Sequence, residues 1–197
     1  MPVRLVVGLG NPGKDYSNTR HNVGFKVVDL VLNGLLREKV KFTSKYEALV
    51  SSVQISGRKV FFIKPMTFMN LSGHAVSGLC RKEKIVSDEI ILIHDDMDIE
   101  QGRIKLKIGG GAAGHNGVES VILELGTDKF ARLRIGIGRD KFRIMTDYVL
   151  SEFKEEEKVV MEKSLDLSAE AVKLAVRRGF TTAMNKYNRI VDVNVDS

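Results

Sequence analysis

The 197-residue chain has little cysteine and proline and no tryptophan: one Cys, three Pro and no Trp. With Cys80 as its single thiol, the chain cannot form an internal disulfide or a zinc site built from several thiolates. No apolar run reaches the roughly 18 residues of a membrane span, and the N-terminus lacks a signal-peptide pattern. We therefore expect a cytoplasmic protein without a membrane segment.

Basic residues exceed acidic ones modestly, 31 against 25, and the excess is concentrated in one stretch. Residues 129–143 hold six basic side chains and one acid. Lys105 and Lys107 alternate with apolar residues in one predicted strand, and Arg132 and Arg134 do so in another, so each pair shares a face. Such a face is either a solvated surface or a contact for the phosphates of a polyanion. No aromatic RNA-recognition motif is present, so we do not expect sequence-specific reading of bases.

Alternating strand-like and helix-like segments predict a layered α/β protein. We expect a single domain over residues 1–197, with a twisted mixed β-sheet flanked by helices on both sides. The predicted strands cover residues 5–7, 47–55, 59–63, 90–93, 103–108 and 132–138. The predicted helices cover residues 23–36, 72–82, 118–125, 155–178 and 182–188.

Polar side chains follow three of the predicted strands. Asn11, Asn70 and the pair Asp95-Asp96 each come after an apolar run, and ligands of open α/β sheets bind beyond the carboxyl ends of the strands. His21 lies on the loop that leaves the first strand, at the start of the first predicted helix, where a positive imidazole is disfavoured. Asp95 is the candidate partner that would orient this ring. The alternative is a histidine satisfied by backbone groups.

The other histidines and the glycine-rich strings are weaker signals. We expect His74 on the surface, His94 hydrogen-bonded at the end of a buried strand, and His115 beside the crevice. Residues 8–13 and 109–114 both match G-x-G-x-x-G, but only the second string is followed by a helix, so a dinucleotide site at the first is disfavoured. The second predicts either an anion-binding nest of amides or a flexible connection.

Two further expectations follow from spacing. Asn116, with Glu119 three residues later, fits the N-cap of a capping box. No metal-ligand spacing is present, so we expect neither a metal nor a cofactor.

Five motifs in order resemble those of the bacterial peptidyl-tRNA hydrolase family, and together they cover roughly residues 3 to 150. The motifs are VGLGNPG with Tyr16 and TRHN (residues 7–22), KPMTFMNLSG (64–73), HDDMD (94–98), GGGAAGHNG (109–117) and RLRIGIG (132–138).

The resemblance implies hydrolysis of the ester that joins a peptide to the 3′ end of tRNA, without metal or cofactor. His21 would be the general base on water, and Asp95 would orient it. Asn11 and Asn70 would hold the peptide and ester, with Asn70 also steadying the oxyanion. Asn116 would position the peptide or a water. Tyr16, Phe68 and Met69 would line the cleft near the tRNA end. Lys107 and Arg134 would bind tRNA phosphate.

This chain departs from the family pattern at two places. Ala112-Ala113 stands where the family often has glycine, and residues 140–146 lack an expected proline. We expect residues 139–155 to form a mobile lid, followed by C-terminal helices over 155–188. The expected partner is peptidyl-tRNA, bound at its acceptor end and phosphate backbone by a monomer without an obligate protein partner.

Two alternatives differ in class from this enzyme. One is a non-catalytic RNA-binding relative that acts in RNA processing through a partner protein. It would keep the basic face and would not need the asparagines and His21. The other is a nucleotide-binding α/β protein, suggested by the glycine strings alone.

Overall fold

Seven strands form one mixed sheet in the computed structural model, which describes residues 2–35, 40–140 and 142–189. The strand order is β2-β3-β4-β1-β5-β7-β6. The strands are β1 (Leu5–Gly8), β2 (Thr43–Lys45), β3 (Ala48–Ile55), β4 (Arg58–Pro65), β5 (Ile90–Asp96), β6 (Ile104–Ile108) and β7 (Ala131–Gly136). The helices are α1 (Val23–Leu35), α2 (Ser72–Glu83), α3 (Asn116–Leu125), α4 (Met145–Val149), α5 (Glu155–Arg178) and α6 (Phe180–Tyr187).

The centre of the sheet is parallel, as the sequence predicts. β1 pairs in parallel with β4 and β5, and β5 with β7, whereas β2, β3 and β6 pair antiparallel with their neighbours. Every residue of β1 and β5 is buried, because helices cover both faces of these strands. The carboxyl ends of β1, β4 and β5 therefore meet at one edge of the sheet.

Two hydrophobic clusters fill the space between the sheet and its helices. One joins α1, α5 and α6 to one face, with Val27, Val172 and Phe180 among its buried members. The other joins α2 and α3 to the opposite face, with Leu79 and Val121 among its buried members. The sequence prediction of helices on both sides of a mixed sheet is confirmed.

Most predicted element bounds agree with the structure to within a few residues, and two elements were missed. The longest helix spans 155–178 as predicted, whereas β2 and α4 were not predicted. His21 lies in a 3₁₀ turn, Arg20–Asn22, directly before α1. Leu36 of the predicted first helix and Lys141 of the basic stretch lie outside the described residues. Within the described ranges, no helix is both long enough and apolar enough to cross a membrane.

Two glycines allow α1 to approach the strands closely. A Cβ at Gly24 would lie 2.5 Å from the carbonyl oxygens of Ile93 and Leu9, and one at Gly8 would lie 2.2 Å from the carbonyl oxygen of Gly24. These neighbours are backbone atoms that cannot rotate away. The close approach holds the turn that carries His21 against the carboxyl ends of β1 and β5.

We expect Gly24→Ala to destabilise the protein by about 1–3 kcal/mol, because overpacking outweighs the better helix propensity of alanine. Gly34→Ala in the same helix is the matched control. Its Cβ would meet only the flexible end of the Lys173 side chain, at 3.1 Å from Nζ, so its stability should be unchanged or raised. Urea unfolding measures both, and equal effects at the two positions would contradict this account.

Candidate active site

Two imidazoles share one carboxylate oxygen at the carboxyl edge of the sheet. Nδ1 of His21 lies 2.8 Å from Oδ1 of Asp95, and Nε2 of His115 lies 3.0 Å from the same oxygen. The two rings are 4.8 Å apart between centroids. The predicted partnership of His21 with Asp95 is therefore present in the geometry, and His115 is added to it.

The hydrogen bonds assign the tautomers of both rings. Nδ1 of His115 accepts from the backbone N–H groups of Gly117 and Val118 at 3.1 and 3.3 Å, so it carries no proton. Its proton is on Nε2, which donates to Asp95. In its neutral form His21 likewise donates from Nδ1 to the carboxylate, so Nε2 is the nitrogen that can accept a proton.

Asp95 carries a permanent negative charge beneath these rings. Its side chain is 3% exposed. Burial raises the pKa of this carboxyl, but the adjacent His21 and His115 outweigh burial and hold the pKa well below its ordinary range. The sequence signal for Asp95 was its position directly after a fully buried strand.

His94 closes the site from behind. Its Nδ1 lies 2.7 Å from the carbonyl oxygen of Asp95, and its ring meets that of His115 edge to face at 4.9 Å. Burial, and then the neighbouring His115, lower the pKa of His94 well below its ordinary value. This ring stays neutral, and it is hydrogen-bonded at the strand end as the sequence predicts.

The side-chain oxygen of Asn11 is hydrogen-bonded to the segment that follows β4. Oδ1 of Asn11 accepts from the backbone N–H of Met69 at 2.8 Å. Asn22 fixes the Asn11 backbone through two hydrogen bonds, of 2.8 and 3.0 Å. Because its oxygen is occupied, Asn11 offers its amide nitrogen as a donor. Asn22 was missed as a positioning residue, and nothing in its spacing distinguished it from a loop asparagine.

A cavity of about 180 Å³ lies in front of the two histidines. It contains three of the predicted site residues, His21, Asp95 and Asn116. The other seven predicted residues lie outside its lining. Asn70 and Phe68 are exposed, Tyr16, Lys107 and Arg134 are half-buried, Asn11 is buried, and Met69 is buried under the start of α3. The lining residues from the segment after β7 are Arg139, Met145, Thr146 and Val149.

The prediction of Asn116 as an N-cap is wrong. His115 occupies the cap position of α3 through its Nδ1, and Asn116 is the first helical residue. A histidine ring that caps with one nitrogen and donates with the other connects the helix to Asp95. Asn116 is exposed and lines the cavity.

The glycine-rich loop before α3, residues 109–114, is held in place by hydrogen bonds with the neighbouring strand and turn. Arg132, at 2% exposed, donates from its guanidinium to the carbonyl oxygens of Gly110 and Gly111, and Gly110 N–H donates to Asp128 at 2.9 Å. The expectation that Arg132 belongs to an exposed basic face is therefore wrong. Its guanidinium is hydrogen-bonded to the loop backbone and does not face solvent.

Ala113 in the same loop adopts φ +50°, in the left-handed region that favours glycine. The alanine that departs from the family pattern is thus a mildly strained residue at the mouth of the cavity. Fixing this loop also fixes His115, which follows two residues later.

Lys107 and Arg134 remain near the surface beside this loop. Arg134 pairs with Asp96 through a 2.6 Å contact from Nε, and Lys107 lies across β6–β7 opposite Arg132. Partial burial, and then the guanidinium groups of Arg132 and Arg134, lower the pKa of the Lys107 ammonium from its ordinary value. Neither side chain lines the cavity, but Arg134 contacts Asp96, which does, so the two cations lie just outside the cleft on this side.

Arg20 connects the turn that carries His21 to the segment after β7. Its guanidinium donates to Ser151, Glu152 and Glu157. The group also lies 4.5 Å from the ring centroid of Tyr148. No role was predicted for Arg20, because nothing in its spacing showed that it is buried.

The donor atoms of His21, Asp95 and His115 lie within 4.8 Å of one another, which is close enough for three ligands of a metal ion. In the hydrogen-bonded arrangement these same atoms are engaged with each other. A cation bound there would replace both N–H donors on Asp95.

The comparisons with known proteins agree on one family. The Peptidyl-tRNA hydrolase family profile matches residues 5–194. A curated peptidyl-tRNA hydrolase from Desulfitobacterium hafniense is 44% identical over 192 residues, covering 95% of this chain and 100% of that protein. One from Geobacillus kaustophilus is 46% identical over 188 residues, with coverage of 94% and 100%.

A solved structure has the same fold. The crystal structure of peptidyl-tRNA hydrolase from Acinetobacter baumannii superimposes with a TM-score of 0.87 at 34% identity, over 94% of each chain. The shared fold, together with the sequence matches over nearly the whole chain, shows that the chain belongs to the peptidyl-tRNA hydrolase family.

Proposed function

We propose that this protein hydrolyses the ester between a peptide, or another N-blocked aminoacyl group, and the 3′ end of tRNA, with His21 as the general base. The observation that carries the proposal is the 2.8 Å contact from Nδ1 of His21 to Oδ1 of Asp95. In the neutral ring this contact makes Nε2 the proton-accepting nitrogen, and His21 lines a cavity of about 180 Å³. The reaction recycles tRNA from prematurely released peptidyl-tRNA.

In the proposed reaction, Nε2 of His21 takes a proton from water as the water attacks the ester carbonyl. The imidazolium that forms is stabilised by the buried Asp95 carboxylate directly behind it. The tRNA 3′ oxygen then leaves with a proton returned from His21. No covalent nucleophile is required, since an ester is already activated toward attack by water.

The asparagines are the proposed donors to the substrate. Asn11 donates from its amide nitrogen to the ester region, because Met69 N–H already occupies its oxygen. Asn70 lies in a second 3₁₀ turn, Met69–Leu71, and steadies the oxyanion. Asn116 positions the peptide or a water. A donor at an oxyanion contributes roughly 10²- to 10³-fold to the rate. Tyr16 and Phe68 line the path of the tRNA end, whereas the side chain of Met69 is buried under α3 and this residue contributes its backbone N–H to Asn11.

Lys107 and Arg134 are the proposed contacts for tRNA phosphate. Lys107 lies close to Gly110 at the rim of the loop, where its ammonium can approach a phosphate as a point charge. We further propose that the protein acts as a cytoplasmic monomer and that residues 139–155 close over the bound substrate. A non-catalytic RNA-binding role is disfavoured, because it would not require the tautomer that Asp95 imposes on His21.

His21→Ala should lower kcat by about 10²- to 10⁴-fold, the usual contribution of a positioned base, and leave the affinity for uncharged tRNA unchanged. Release of N-acetyl-amino acid from N-acetyl-aminoacyl-tRNA measures turnover. His74→Ala is the matched control, since His74 is an exposed histidine on α2 that pairs with Glu124 at 3.3 Å. Retained hydrolysis in His21→Ala would show that His21 is not the general base.

Asp95→Asn should weaken the stability of the protein as well as its turnover, and the stability effect should depend on pH. The folded-state pKa of Asp95 is lowered, so its stabilisation is present above the unfolded carboxyl pKa of about 3.9 and is lost as pH falls toward the lower folded value. The difference in unfolding free energy between wild type and variant should therefore be constant above about pH 5 and shrink as pH falls from about 5 to about 2. Urea unfolding at several pH values tests this, and a constant difference would contradict it.

Lys107→Gln should weaken tRNA binding and reduce the slope of log Kd against log salt by about 0.7 to 0.9, the value for one phosphate contact. The matched control is Lys163→Gln on α5, an exposed lysine on the opposite face of the sheet. Fluorescence titration of uncharged tRNA at several salt concentrations gives both slopes. Equal slopes for the two variants would show that Lys107 does not contact phosphate.

A further inference from the structure

A groove lies over the sheet edge formed by β2, β3 and β4, away from the catalytic cavity. Its volume is about 370 Å³, with Val50 and Phe61 among its lining residues and α2 contributing Leu79. Val50 lies opposite Thr43, and Ser52 lies opposite Phe61, so these side chains share one face of the sheet. This groove takes no part in the proposed chemistry.

Three lysines give the groove a positive charge. Lys41, Lys45 and Lys59 line it together with a single carboxylate, Glu83. All three lysines are exposed, and none has an ion-pair partner among the residues that the structure describes. The Lys59 ammonium lies 4.6 Å from the centroid of the Phe61 ring. The groove therefore presents uncompensated cations and hydroxyl groups to solvent.

The strand register places this groove on the same face as the cations that border the catalytic cleft. One row of paired residues crosses all seven strands, and α2 and α3 cover its centre. The row is Thr43, Val50, Ile63, Val7, Leu92, Arg132 and Lys107. At about 4.8 Å between strands, its two ends lie roughly 30 Å apart. The flank at β2–β4 carries the three groove lysines, and at the other end the cation that reaches the surface is Lys107 rather than the buried Arg132.

We infer that the lysine groove is a second contact for RNA phosphates, binding the body of the tRNA while the ester occupies the catalytic cavity. The inference builds on the proposed function. Phosphate backbone is bound by lysine charges and by Ser and Thr hydroxyl groups, and both kinds of group are present here. A ligand that spans two basic flanks about 30 Å apart is an extended polyanion rather than a small anion.

The test removes the charges of the groove and compares two substrates. In the triple variant Lys41→Gln, Lys45→Gln, Lys59→Gln, KM for N-acetyl-aminoacyl-tRNA should rise about 10-fold at low salt, with kcat unchanged. The salt slope of tRNA binding should fall by about 2 to 3. N-acetyl-aminoacyl-adenosine has no phosphate, so its hydrolysis should be unaffected, which also verifies that the variant is folded.

The matched control removes three exposed basic residues of α5, on the other face of the sheet. These substitutions are Lys163→Gln, Arg177→Gln and Arg178→Gln. Equal KM values and salt slopes for the two triple variants would overturn the inference. If the wild type hydrolysed neither substrate, the proposed function would fail, and the affinity for uncharged tRNA would still decide the role of the groove.

A small-anion site is the competing outcome. Inorganic phosphate titrated at constant ionic strength distinguishes it, because a dedicated small-anion site would show saturable binding that the groove substitutions abolish. That result would overturn the assignment to RNA. With an RNA surface, phosphate binding should be weak and the same in wild type and variant.

Discussion

One oxygen atom organises the candidate site. Oδ1 of Asp95 accepts hydrogen bonds from His21 and from His115, so a single buried charge sets the tautomers of two rings. A buried carboxylate is costly unless it is hydrogen-bonded, and these two donors offset part of that cost at Oδ1. The positions of the α1 entry turn and the α3 N-terminus both depend on this contact, since each brings one of the two rings.

Backbone geometry makes that contact possible. The glycine pair at 8 and 24 lets α1 lie directly on the strand ends, and a side chain at either position would push His21 outward. On the other side, Arg132 is buried under the glycine loop and holds the peptide carbonyls that precede His115. The reactive residues are thus fixed by groups with no chemical role in hydrolysis.

Much of the fold and part of the site followed from the sequence. Continuous apolar runs indicated the buried parallel strands, and the polar residues after them located Asp95 at the sheet edge. Spacing could not show that His115 caps a helix while bonding to a residue 20 positions away, because that contact depends on tertiary structure. The alternation of basic and apolar residues likewise placed Arg132 and Arg134 correctly on one face of their strand. It could not show that the glycine-rich loop would cover Arg132.

Arg20 and His21 are adjacent in the chain but make different contacts. Because they share one turn, the residues that Arg20 binds are tied to the position of His21. The Arg20 guanidinium is nearly inaccessible to solvent, and its hydrogen-bond acceptors are on Ser151, Glu152 and Glu157. Detaching those residues would strand a buried charge at a cost of about 3–5 kcal/mol. The segment that lines the cavity with Met145, Thr146 and Val149 is consequently anchored to the turn that carries His21 by the residues that directly follow it.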